Sequence, residues 1–172
     1  MPAQDEESLA ALVPFDDYVR RDYPDCVTEW VAGRVIVHEP ISNDHNALTV
    51  FLPCTVGLLV KEHAVGSVYH APFVMKTGPS LPARSPDLMI VRAENVARHC
   101  RDTHLEGPAD LVIEVIDPES RTRDRIEKFA EYEQGGVGEY WLIDHESHNA
   151  EFYRRGTDRR LHIAPIAPDG RY

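Results

Sequence analysis

Two acidic residues stand where acids are costly. Glu114 interrupts the apolar run Leu111-Val112-Ile113-Glu114-Val115-Ile116, and Asp87 directly precedes a second run, Leu88-Met89-Ile90-Val91. Apolar, β-branched runs of this length read as strands buried on both faces, where an isolated carboxylate is strongly disfavoured by desolvation. Two carboxylates on neighbouring strands can share a metal ion. With a backbone carbonyl they make an oxygen-rich site suited to Mg²⁺ or Mn²⁺, hard ions that keep waters and take few protein ligands. Such an ion activates water and neutralises charge on a phosphate. The plainer alternative makes each acid a turn cap or the partner of a nearby arginine. Downstream, Asp124, Lys128 and Tyr132 recur every four residues, which on a helix puts them on one face. Ile126, Phe129 and Ala130 beside them are expected to lean that face on the sheet. An ammonium reaching the strand ends would join two acids and one base, able to stabilise transition-state charge or position a water. Otherwise Asp124 and Lys128 form a solvated pair of little energetic weight. The reaction class that suits these parts is phosphodiester hydrolysis.

The elements that must position them are legible in outline. Residues 1–8 are polar and acidic and read as a disordered end; a short helix and loop follow over Leu9 to Tyr23, punctuated by Pro14 and Pro24. Cys26 to Val31 and Arg34 to His38 flank Ala32-Gly33 as a hairpin, with Glu29 in its first strand. Ser42, Asn43 and Asp44 supply helix-start chemistry, and Leu48, Phe51, Leu52, Val56, Leu59 and Val60 extend a helix to about Glu62, with Pro53 a kink. Ser67 to Lys76 reads as one strand, Gly78 to Arg84 as a loop, Pro86 to Val91 as a strand, and Glu94 to Arg101 as a short helix. Asp110 to Ile116 is the strand of Glu114. Arg121 to Gln134 is an amphipathic helix stopped by Gly135-Gly136, and Glu139 to Asp144 with Ala150 to Arg154 form a final strand pair. This order predicts an α/β or α+β fold, a mixed sheet flanked by helices.

Composition narrows the function classes. With 172 residues, 42% hydrophobic, the chain suits a single domain over 1–172. It shows no apolar stretch long enough to span a membrane and no signal-peptide leader, so a cytoplasmic protein without membrane partners is expected. Cys26, Cys54 and Cys100 are scattered and offer no zinc pair. The nine histidines show no HxxxH or HxH spacing, and nucleotide-loop and serine-hydrolase motifs are absent. Tyr140-Trp141 reads as core rather than as a base-stacking platform. Eighteen basic against 29 acidic residues, a formal charge of −11, disfavour a protein that holds nucleic acid by a broad basic surface. They leave room for an enzyme acting on it, because Arg121, Arg123, Arg125 and Lys128 cluster locally.

Taken together, Thr28 to Val35, Ser85-Pro86-Asp87-Leu88, Ala109 to Val115, Asp124 through Lys128 to Tyr132, and Gly138 to Asp144 resemble the Uma-two family of restriction endonucleases within the PD-(D/E)XK nuclease superfamily. The resemblance implies a restriction-endonuclease-like fold, a metal-dependent endonuclease acting on DNA, and metal ligation by Asp87, Glu114 and the carbonyl of Val115. Glu29 would be an additional acid, and His45 matches a family position that can approach the metal or a phosphate. The superfamily's usual E-x-K is broken here by Ile116; the resemblance assigns the missing ammonium to Lys128. A homodimer is implied as well, since a two-fold pair most simply cuts two strands. The turn at Asp169-Gly170-Arg171-Tyr172 reads as entering a further strand, as in a truncated chain. Two rivals stand beside this reading: a nuclease fold surviving as an inactive binding or interaction module, and a metal-dependent phosphodiesterase acting on a small nucleotide.

Overall fold

A computed structural model describes residues 12–24, 26–165 and 167–168; the stretch 1–8 and the chain end at 169–172, on which expectations were placed, lie outside them. Among these described residues eleven strands form two sheets. The chain runs α1 (Phe15–Tyr18), β1 (Thr28–Val31), β2 (Arg34–Val37), α2 (Asn43–Glu62), β3 (Gly66–Tyr69), β4 (Val74–Lys76), β5 (Ala83–Arg84), β6 (Leu88–Arg92), α3 (Ala93–His99), β7 (His104–Glu106) and β8 (Leu111–Ile116). A π-helical segment, Arg123–Lys128, then leads into α4 (Phe129–Gly135), followed by β9 (Glu139–Asp144), β10 (Asn149–Arg155) and β11 (Leu161–Ile163). Among the described residues no helix is long and apolar enough to cross a membrane.

The smaller sheet has the order β2-β1-β5-β4-β7 and the larger β11-β10-β9-β8-β6-β3. One mixed sheet was expected; two mixed sheets flanked by helices are found. The difference arises at the segment read as one strand from Ser67 to Lys76. Pro72 has no N–H for a ladder, so the chain leaves the larger sheet after Tyr69 and re-enters in the smaller one as β4. The short strands β5, β7 and β11 carry too few residues to show a period of two, and their pairing makes them strands.

Strand β8 lies inside the larger sheet, antiparallel to β6 and parallel to β9. Parallel neighbours need a crossover, here the π segment and α4. Alternation then divides β8 between two cores. Leu111 and Ile113 pack with Leu88, Ile90 and Val60 of α2, whereas Val112 and Ile116 pack with Tyr132 and Tyr140. Glu114 shares the parity of the second set and faces α4. The β6 register pairs Leu88 with Ile113, so one step further sets Asp87 opposite Glu114. Helix α2 starts where its cap chemistry places it, with the Ser42 hydroxyl accepting from the His45 N–H at 3.1 Å. Helix α4 stops at Gly136, whose φ of 95° is the left-handed turn that glycine adopts freely.

Candidate active site

Glu29 from β1, Glu114 from β8, and Asp124 and Lys128 from the π segment meet in one buried cluster. The Lys128 ammonium stands 2.9 Å from Glu114 Oε2, 3.0 Å from Asp124 Oδ1 and 3.6 Å from Glu29 Oε1. Tyr132 donates its hydroxyl to Glu114 Oε1 at 2.8 Å. Asp124, Lys128 and Tyr132 are each at most 3% exposed. The four-residue spacing does put them on one face, and of the three expected neighbours Phe129 leans on the sheet, against Tyr140 and Tyr153, whereas Ile126 and Ala130 do not. Ile126 is 64% exposed and Ala130 is exposed, while Phe129 is half-buried. The helix buries its polar stripe and turns Ile126 outward, an inversion of ordinary patterning that the acids across the cleft make favourable. Six residues of wide π winding at this place are a common mark of a functional segment.

Asp87 is tied to the same centre from the start of β6. Its Oδ2 accepts the Val115 N–H at 2.7 Å, and its Oδ1 stands 3.3 Å from His45 Nε2. In an extended strand the N–H and C=O of one residue point the same way, so the Val115 carbonyl faces the side on which Asp87 stands. On the other side of His45, Nδ1 is 2.7 Å from Asp117 Oδ2, and Asp117 also meets His145 at 3.0 Å and Ser42 at 3.2 Å. Glu29 is closed in by Arg84 at 2.8 Å and His38 at 3.2 Å.

The electrostatics follow from burial set against neighbours. Burial pushes the Glu114 carboxyl up to about 8, against the pull of Lys128 and with further repulsion from Asp124, Asp87 and Glu29. Burial acts on Glu29 in the same sense, yet Lys128, His38 and Arg84 outweigh it and hold that acid well below the usual carboxylate range. Lys128 is buried as well, and Glu114, Glu29 and Asp124 keep it charged far above neutral pH. His45 is raised above the ordinary imidazole value, since Asp87 and Asp117 overcome the effect of its burial.

His45, Asp87, Glu114, Asp124 and Lys128 line a cleft of about 1040 Å³, whose wall also carries Arg123. Among the described residues no three His, Cys, Asp or Glu side chains come together as a ready metal cage. Asp87 and Glu114 with the Val115 main-chain oxygen are two carboxylates and one carbonyl, a hard oxygen set that suits a cation retaining its waters. A carboxyl raised by burial, with neighbouring acids adding to the shift, is what a divalent cation would relieve, so the residues suit Mg²⁺ or Mn²⁺. Sequence reasoning brought Asp87, Glu114, Lys128, Glu29, His45, Asp124 and Tyr132 forward, and the fold gathers all seven. It missed Arg84, His38, Asp117 and His145. Adjacency to Ser85-Pro86-Asp87 and to Glu114 was the only available signal for Arg84 and Asp117, and nothing pointed to the histidines.

Two mixed sheets flanked by helices, with acids at adjoining strands and a lysine on the crossover helix, define a restriction-endonuclease-like fold. The chain belongs to the Uma2 family, described as "Putative restriction endonuclease", which matches residues 15–171. Among solved structures, that of a "putative nuclease belonging to DUF820" from Anabaena variabilis has a TM-score of 0.68, covering 88% of this chain and 85% of that one at 15% identity. That likeness shows the shared fold. No curated protein matches the chain.

Proposed function

We propose that this protein is a metal-dependent endonuclease hydrolysing DNA phosphodiester bonds, with Asp87, Glu114 and the Val115 carbonyl holding Mg²⁺ or Mn²⁺ and Lys128 beside them. The observation that carries the reading is the Lys128 ammonium 2.9 Å from Glu114. An apolar Ile116 leaves the strand without a cation, and the π segment supplies one from the helix. When bound, the ion activates water and neutralises phosphate charge.

The chain's own groups divide the remaining work. Lys128, kept protonated by three acids, stabilises negative charge developing on the phosphate and does not accept a proton. Tyr132 and Asp124 fix the Glu114 carboxylate and the ammonium in place. His45, set between Asp87 and Asp117, orients Asp87. Arg123 supports a phosphate substrate in an acidic protein. Among the described residues it pairs with no acid, whereas Arg84, Arg121 and Arg125 are tied to Glu29, Asp144 and Glu151. It therefore offers a free guanidinium to a phosphate backbone. A duplex presents two strands, and a homodimer with one site for each is the assembly that suits this chemistry.

The net charge of −11 favours one competing reading, a phosphodiesterase acting on a small nucleotide. Incubation of the purified protein with supercoiled and linear DNA in Mg²⁺, Mn²⁺ or chelator, with Glu114→Ala alongside, tests the proposal. Nicking that needs metal and Glu114 is expected. Metal binding without cleavage points to an inactive module. Cleavage of small diesters with little dependence on salt points to the nucleotide reading, because DNA binding weakens steeply with salt.

A further inference from the structure

Helix α2 is twenty residues long and, His45 apart, carries no ionisable charged side chain between Asp44 and Lys61. One face, with Leu52, Val56 and Val60, packs on Leu88, Ile90, Leu111 and Ile113 of the larger sheet. The opposite face is apolar too. Val50 is 58% exposed, Phe51 59%, Leu58 69% and Leu59 51%. A helix apolar all round belongs in a place covered all round, and in the single chain half of this one stands in water.

Its spacing says what covers it. Asp44, Ala47, Phe51, Cys54, Leu58 and Lys61, all exposed, follow one another in steps of three, four, three, four and three. That is the narrow seam of two helices packed along their length. Laid antiparallel on a second copy about a two-fold axis level with Leu52 and Pro53, the seam complements itself. Leu58 meets the second copy's Ala47, Phe51 meets its Cys54, and Asp44 meets its Lys61. Large side chains face small ones, an acid faces a base, and the two-fold repeats each contact at the other end. A parallel pairing would set Phe51 on Phe51 and Asp44 on Asp44. We propose that α2 is the surface on which a second copy of this chain docks, antiparallel, in the register that opposes Asp44 to Lys61. The docking surface follows from α2 alone and does not depend on the nuclease reading. His45 lies in the first turn of α2, so the two clefts sit toward opposite ends of the helix pair, with their His45 residues about 22 Å apart along it.

Sedimentation equilibrium of the full chain, without DNA or metal, tests this. A dimer is expected. Leu58→Glu should weaken association by roughly 100-fold or more, because it buries a charge at the centre of each contact, and it should leave the circular dichroism spectrum unchanged because the residue is exposed in the single chain. Asp44→Lys and Lys61→Asp should each weaken the dimer roughly tenfold by opposing like charges, and the double variant should recover native association. A protein that stays monomeric at all concentrations, a dimer indifferent to Leu58→Glu, or a double variant as weak as the singles would overturn the proposal. So would a monomer whose Cys54 resists thiol reagents, since another segment or protein would then cover the seam. Cleavage is not read in this experiment, so its failure and that of the nuclease proposal are separable.

Discussion

Glu114→Gln should stabilise the metal-free protein, and by an amount that grows with pH. Burial raises the Glu114 carboxyl to about 8 from an ordinary 4.5. Between those values the fold keeps a proton that the unfolded chain has released. The native state then binds more protons than the unfolded one, and stability falls as pH rises. From pH 5 to pH 8, at about 1.36 kcal/mol per pH unit, the fall comes to about 4 kcal/mol. Glutamine keeps the shape, its oxygen accepting from Lys128 and its amide N–H donating to the Tyr132 hydroxyl oxygen, but it has no proton to lose. Lys128 keeps Asp124 at 3.0 Å and Glu29 at 3.6 Å as counter-ions. Glu29 titrates below its usual range and adds stability that is already complete by about pH 5.5. His45, raised above its usual value, loses its contribution as pH climbs, but it does so in both proteins and cancels in the difference. Urea unfolding of both proteins in chelator at pH 5, 6, 7 and 8 measures that difference directly. It should widen by about 4 kcal/mol in favour of glutamine. A difference flat to within about 1 kcal/mol would refute the claim that Glu114 is held protonated by burial.

Mn²⁺ should raise the melting temperature of the unmutated protein and not that of Glu114→Gln, and its binding at pH 7 should release about one proton, measurable by calorimetry in buffers of different ionisation enthalpy. Asp87→Asn should abolish metal-dependent cleavage, whereas Lys128→Ala should keep metal binding and lose roughly 10²-fold or more in rate. That variant also leaves three buried acids without their shared cation at a cost of about 3–5 kcal/mol, so rates are referred to the folded fraction; Lys128→Arg should rescue poorly because a planar fork does not replace a compact ammonium. Arg123→Ala should raise KM with little change in kcat and reduce the slope of log affinity against log salt by about 0.9, and an unchanged slope would remove its phosphate from the account.

Much of the local structure was legible because short-range physics governs it. The Ser42 cap opens α2 at Asn43, the Ala32-Gly33 turn joins β1 to β2, and Gly136 ends α4 in the left-handed conformation. An acid in the apolar run of β8, with a second before the run of β6, pointed to the candidate site by its desolvation cost. Sheet membership was less accessible. Strands β5, β7 and β11 have two or three residues each, too few for any periodic signal, and the break at Pro72 sends one apparent strand into two sheets.

The sequence by itself determined which residues could do the chemistry and the order of elements that carries them, because capping, turn conformation and the burial of apolar runs are properties of neighbours along the chain. Only the tertiary structure decided that Arg84 closes over Glu29 from 55 residues away, that Asp117 holds His45 from the far side, and that the helix after β8 buries Asp124 and Lys128 while Ile126 faces water. From the sequence, that face is expected to lean on the sheet with Ile126, Phe129 and Ala130 beside it; of these only Phe129 packs there. The reason is energetic: a buried charge is tolerated only where its counter-charges converge from other elements, and that convergence is a property of the packed sheet.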